Sequence, residues 1–162
     1  MKIKSVSKTA VILMLALLTA LSVCACGSNN GKTPAVADIA NAIIEKYPLS
    51  DAMSEVAGEE KIKNVYGLDA ADYSEIAAYV NNSGTEQDEI VIVRASSSDK
   101  VADIKEKLGN KKMAKLNSTR NYLPDQYEMI QKCEVVEKGD YVRMIISPDA
   151  DGMVEIFNAQ FE

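Results

Sequence analysis

The chain contains no histidine and no tryptophan, and it has only two phenylalanines, three cysteines and four prolines in 162 residues. Each shortage excludes something. Without histidine there is no Ser-His-Asp or Cys-His catalysis, none of the usual zinc ligand sets, and no easy general base near neutral pH. Without tryptophan, and with phenylalanine scarce, a deep aromatic cofactor pocket or a sugar-stacking platform is disfavoured, although seven tyrosines remain. Three cysteines, two of them at the N-terminus, leave no framework of disulfides. Long apolar runs are also rare. The one that exists, Thr9 to Val23, decides where the rest of the chain works.

Lys2, Lys4 and Lys8 precede this run, and Val23-Cys24-Ala25-Cys26 closes it. A basic start, a short apolar stretch and small residues at the exit make a secretory signal. The run is too short for a permanent membrane span and lacks a stop-transfer pattern. Val23 and Ala25 sit at −3 and −1 to Cys26, so ordinary and lipoprotein processing predict the same scissile bond. The thiol distinguishes them: the sequence Val-Cys-Ala-Cys resembles a bacterial lipoprotein signal, in which the cysteine sulfur takes a diacylglycerol. Cys26 is therefore the expected lipidation site and first mature residue, whereas Cys24 would place bulky Val23 at −1. Each buried methylene contributes about 0.8 kcal/mol and a single acyl chain anchors only marginally, so a diacyl cysteine holds a domain to the membrane unaided. The expected location is the extracytoplasmic side of the cell membrane. Residues 1–25 form the signal, 26–33 a flexible tether and 34–162 one folded domain.

The signal takes three lysines and no acid, leaving 15 basic against 24 acidic residues and a net charge of −9. Such a surface argues against nucleic acid as a partner and against unaided adhesion to anionic lipid. Cys133 becomes the only unmodified cysteine, in an apolar stretch where a free thiol behaves as a small buried hydrophobe.

Thr33-Pro34 opens a helix, with Thr33 as N-cap and Pro34 at N1; Val36, Ile39, Ala40, Ile43, Ile44 and Tyr47 follow at helical spacing, to Pro48. Leu49 to Ala57 carries no clear period. Glu59 to Tyr66 reads as a short helix stopped by Gly67. Tyr73 to Val80 alternates as a half-buried strand, and Glu89 to Ala95, with Ile90-Val91-Ile92-Val93, reads as a central strand covered on both faces. After a Ser96-Ser97-Ser98-Asp99 cap comes a long helix expected to kink or divide at Gly109-Asn110, and then a short one over Asp125 to Lys132. A second hairpin, Cys133 to Glu137 with Tyr141 to Ser147, and a closing helix after Ser147-Pro148-Asp149 complete the chain. Two hairpins separated by helices predict an α+β fold: a four-stranded, mainly antiparallel sheet with helices mainly on one face.

Four stretches carry a resemblance to a known group: Tyr66-Gly67-Leu68-Asp69, Glu89-Ile90-Val91-Ile92-Val93, Tyr122-Leu123-Pro124-Asp125-Gln126-Tyr127 and Lys138-Gly139-Asp140-Tyr141. Over roughly residues 38 to 160 the chain resembles the bacterial lipoprotein family called domain of unknown function 4358. The resemblance implies an extracytoplasmic lipoprotein and supplies no activity, and none of its motifs is catalytic.

The chemistry-bearing candidates are few. Tyr79, Arg94, Tyr141 and Arg143 lie on strands and form a candidate binding face on the side of the sheet away from the helices, since Tyr and Arg are frequent binding anchors. Lys111, Lys112 and Lys115, in the basic stretch Lys105 to Arg120, form a candidate docking face for anionic lipid, an envelope polymer or an acidic partner. Asp149-Ala150-Asp151-Gly152 starts like a calcium loop, but Met153 and Gln160 occupy ligand positions 5 and 12, so helix capping accounts for the acids. No catalytic residue, metal or cofactor emerges. The expected protein is a monomeric, non-enzymatic envelope lipoprotein that binds a protein or polymer partner. The alternatives are an accessory module binding a small ligand and, less favoured, a hydrolase using carboxylates or serine with lysine.

Overall fold

The computed structural model describes residues 32–162, which form one compact unit; Cys26 and the signal lie outside the described residues. Eleven residues of α1 (Val36–Lys46) lead to β1 (Met53–Glu55), α2 (Glu59–Tyr66), β2 (Tyr73–Asn81) and β3 (Glu89–Ala95). A 3-10 turn (Ser98–Lys100) opens α3 (Val101–Thr119). Then come α4 (Pro124–Lys132), β4 (Val136–Lys138), β5 (Tyr141–Ile146) and α5 (Ala150–Ala159). The class is α+β with one antiparallel sheet, in the order β1-β2-β3-β5-β4.

The sheet has five strands where the sequence pattern gives four. The two predicted hairpins are present, β2 with β3 and β4 with β5, although the first strand of the second one is Val136–Lys138 rather than Cys133 to Glu137; they join through β3 and β5, with Val93 opposite Val142. The additional strand is β1, three residues on the edge of β2, with Met53 opposite Asn81. Met53-Ser54-Glu55 is too short and too exposed to carry an alternating signal.

The helices cover both faces, contrary to the expected one-sided packing. Val91, Val93, Val142, Met144 and Ile146 point to one face and bury Ile62 of α2, Ile104 and Leu108 of α3 and Ile130 of α4. Ile90, Ile92, Tyr141 and Ile145 point to the other and bury Ile39 and Ile43 of α1 with Met153 and Phe157 of α5. The apolar run Ile90-Val91-Ile92-Val93 requires this arrangement. Alternate side chains leave a strand on opposite faces, so a strand apolar at every position needs a hydrophobic layer above and below.

Two helix details differ from the pattern. α3 runs unbroken through Gly109-Asn110. Its buried stripe is Val101, Ile104, Leu108, Lys115 and Thr119, a 3-and-4 spacing that continues through a lysine, while apolar Met113 is 52% exposed. Counting only apolar residues therefore suggests a phase slip that does not occur, and packing outweighs the roughly 1 kcal/mol that glycine costs in a helix interior. The α1 start is also shifted: Ala35 takes the N-cap position without a side-chain cap, and the Glu75 carboxylate of β2 accepts the Val36 N–H at 2.8 Å instead. That contact, together with Arg94, pulls the Glu75 pKa below the usual carboxylate range. Gly67 ends α2 in the left-handed region at φ 70°, as expected of a C-terminal glycine.

Candidate functional site

The four strand residues do share a face, but it is the one covered by α1 and α5. Tyr141 is buried with its ring edge-on to Phe161 at 4.9 Å, and its hydroxyl donates to the Pro34 carbonyl at 2.7 Å. Arg94 donates to Glu75 at 2.9 Å and lies 5.8 Å from the Tyr141 ring centre. Arg143 lies over Phe157 at 5.6 Å, and burial pulls its guanidinium pKa down. Tyr79 packs at the margin of the same cluster. The Tyr/Arg set is part of a helix–sheet interface and offers no open binding face.

The basic stretch is likewise committed internally. Lys115 is buried, with its ammonium 2.8 Å from the fully buried Glu89 carboxylate, and it donates to the Gln87 carbonyl at 3.1 Å. Lys112 donates to the Cys133 carbonyl at 2.5 Å. Lys111 lies 5.7 Å from the Tyr66 ring centre. These three side chains clamp α3 to the sheet, α4 and α2; they do not make a free docking face. Cys133 is buried, and burial pushes its thiol pKa up, so its character is that of a packed hydrophobe rather than a nucleophile.

An open concavity lies elsewhere. A cleft of about 910 Å³ opens at one end of the sheet, between the C-terminal end of α1, the β2–β3 loop, α4 and the junction of β5 with α5. Its apolar lining includes Leu49, Met53, Ile90, Met129, Ile146 and Met153. Its rim carries Glu86, Asp88, Asp125, Glu128, Asp149 and Asp151 against Lys46 and Lys132.

Local structure explains how the rim is held. Asn81 donates from its side chain to Glu86 at 2.8 Å and from its backbone to the Asp88 carbonyl at 3.0 Å. The Gln126 side chain accepts the Gln87 N–H at 2.8 Å, tying the β2–β3 loop to α4. Together with Lys115 on the Gln87 carbonyl, three separate elements position this loop. Tyr47, at the end of α1, packs so close to Gly152 that a Cβ built there would stand 1.9 Å from the phenol oxygen. Gly152 thus allows Tyr47 to form a wall of the cleft against the first turn of α5, a packing role rather than a calcium-loop role.

Burial is the main cause of a raised Asp88 pKa, and the charges of Glu86 and Asp149 add to it. A carboxylate whose pKa rises on folding makes the native chain bind more protons than the unfolded one, so stability falls as pH rises from the unfolded pKa through the folded one. Asp88→Asn should therefore raise the melting temperature at pH 7 and leave it almost unchanged at pH 3. Thermal denaturation at the two pH values measures this, and a drop in stability at pH 7 would show that Asp88 is held by favourable contacts.

None of the seven residues singled out on strands and on α3 lines this cleft; of the residues weighed in the sequence, Cys133, Asp149 and Asp151 do, though not as a binding site. The only local signal of the lining is an acid beside each chain reversal: Asp88 before β3, Asp125 at the start of α4, and Asp149 before α5. Acids at helix starts are common for helix-dipole reasons alone, so only the fold brings these together. Among the described residues no helix is long and apolar enough to cross a membrane.

A family model described as a domain of unknown function (DUF4358) matches residues 45–147. No curated protein and no solved structure matches the chain. The matched stretch contains all five strands with α2, α3 and α4, and it leaves out most of α1 and the whole of α5.

Proposed function

Because the chain belongs to the DUF4358 family, whose description carries no activity, we propose from the sequence and the cleft that it is a lipid-anchored extracytoplasmic module that binds a small ligand. The observation carrying the binding part is the cleft itself: about 910 Å³, with an apolar floor and several polar groups converging on it from four elements. Ligand sites are characteristically concavities of this size with converging polar groups. The anchoring part rests on the Val23-Cys24-Ala25-Cys26 signal. The small-ligand reading takes precedence over a protein-docking face because the Tyr/Arg set lies beneath α1 and α5 and the lysines are engaged. A hydrolase is disfavoured further, since Glu89, the one fully buried carboxylate among the described residues, faces Lys115 and does not line the cleft.

Mass spectrometry of protein purified from bacterial membranes tests both parts. The N-terminal peptide should begin at Cys26 and carry a diacylglyceryl mass. Native spectra should retain a small-molecule adduct that is lost in Ser50→Trp, a substitution of an exposed residue that lines the cleft. An unmodified Cys26 removes the anchor, and an adduct untouched by Ser50→Trp removes the site.

A further inference from the structure

We infer that the ligand of the cleft is an elongated organic cation: one or more amines carried on an apolar body. This rests on the cleft being the binding site, and it adds the chemical class.

The first support is how the protein treats its carboxylates. Asp72 lies 3.0 and 2.9 Å from the ammonium groups of Lys100 and Lys107, Glu75 lies 2.9 Å from Arg94, and Glu89 lies 2.8 Å from Lys115. These four cations, from the 3-10 turn, α3 and β3, are thus drawn to acids in or near the core. The acids of the cleft, all but Asp88 exposed, are not matched in this way. Among the described residues none of Glu86, Asp88, Asp125, Glu128, Asp149 and Asp151 forms an ion pair, although Lys46 and Lys132 line the same concavity. Six carboxylates facing two lysines around one cavity create a negative potential, and a concave low-dielectric wall focuses it.

The second support is the spread of that charge. The acids come from the β2–β3 loop, from α4 and from the β5–α5 junction. Among the described residues no three acids or cysteines stand together as a metal site would require. Charge distributed around a rim matches an extended cation better than a point charge.

The third support is the floor. Met53, Met129 and Met153 line it with Ile90, and methionine's flexible thioether adapts to apolar shapes without specifying one. A strongly hydrated small cation gains nothing from such a surface, whereas an amine with a hydrocarbon or aromatic body uses both the floor and the rim.

Three probes that share the dansyl group and a five-carbon chain separate the possibilities: dansylcadaverine (cationic), N-pentyl dansylamide (neutral) and 6-(dansylamino)hexanoate (anionic). Each is titrated by fluorescence into the chain from Cys26 to Glu162 carrying Cys26→Ser. Dansylcadaverine should bind at least about tenfold more tightly than N-pentyl dansylamide, and 6-(dansylamino)hexanoate should bind weakest. The preference should shrink with added salt and in the Asp88→Asn/Asp149→Asn variant, and Ser50→Trp should abolish binding. If the neutral or anionic probe binds as well as the cation and Ser50→Trp still blocks it, the cation class is wrong while the cleft stands as a site. If no probe binds to a chain whose circular dichroism is native, the cleft and the ligand class fall together.

Discussion

A chain ending at Ser147 should fail to fold cooperatively, even though it retains every strand and the whole family-matched stretch. The truncation removes Met153 and Phe157, both buried on the α1 side of the sheet, and uncovers Ile90, Ile92, Tyr141 and Ile145. Cutting back a single buried phenylalanine to alanine costs roughly 3–5 kcal/mol, and whole domains are stable by only about 5–15 kcal/mol. Losing α5 altogether therefore consumes most or all of the margin. α1 cannot compensate, because its buried residues pack in the same cluster with Met153 and Phe157. The expected result is loss of near-UV circular dichroism and of a sigmoidal urea transition. The milder Phe157→Ala chain should still fold, with a lowered urea midpoint. A truncated chain with an unchanged transition would mean that the α1–α5 layer is an accessory rather than half of the core.

Lys115→Met should be the most damaging single surface-to-core charge deletion, destabilising the chain by about 3–5 kcal/mol. Glu89 is fully buried, and Lys115 is its only ion-pair partner among the described residues. Neither Glu89 oxygen has a well-directed hydrogen bond, so the pair is held by charge and proximity. The Tyr66 hydroxyl lies against the same carboxylate; burial, reinforced by the charge of Glu89, pushes its pKa far up and keeps it un-ionised. Removing the lysine strands a buried carboxylate between Val80 and Ile146, its neighbours on the adjacent strands. Replacing both partners, Glu89→Leu with Lys115→Met, should recover most of the loss, because a buried ion pair is often no better than apolar residues of similar volume. Urea unfolding of the two single variants and the double variant closes the cycle. Equal stability of Lys115→Met and the parent chain would mean the ammonium is not what holds Glu89.

Charge is treated differently in the core and at the cleft. The buried acids Asp72 and Glu89 and the half-buried Glu75 are matched by cations, whereas among the described residues the acids lining the cleft form no ion pair, and burial raises the Asp88 pKa.

Much of the architecture could be read along the chain. α2 falls where Glu59 to Tyr66 and Gly67 place it, and β2, β3 and the last hairpin follow from alternation or from unbroken apolar runs. These are local consequences of side-chain periodicity and glycine chemistry, and they need no partner to be visible. β1 was not visible, because three residues on an edge take their strand identity from β2 rather than from their own pattern. The continuity of α3 was hidden by Lys115, a charged residue in a core position that only its pairing with Glu89 makes tolerable.

The candidate site divides in the same way. The sequence alone determined that catalysis by histidine is excluded and that Cys133 is the only cysteine after Cys26, because these depend only on which residues are present. Tertiary structure alone decided which charges are spent and which are free. Arg94, Arg143, Lys112 and Lys115 look available in one dimension and are buried or bonded in three, while Asp88, Asp125 and Asp149, far apart along the chain, meet around one concavity. Whether a charge is free to bind depends on what lies within a few ångströms of it, and that distance is set by the packing of layers rather than by sequence separation.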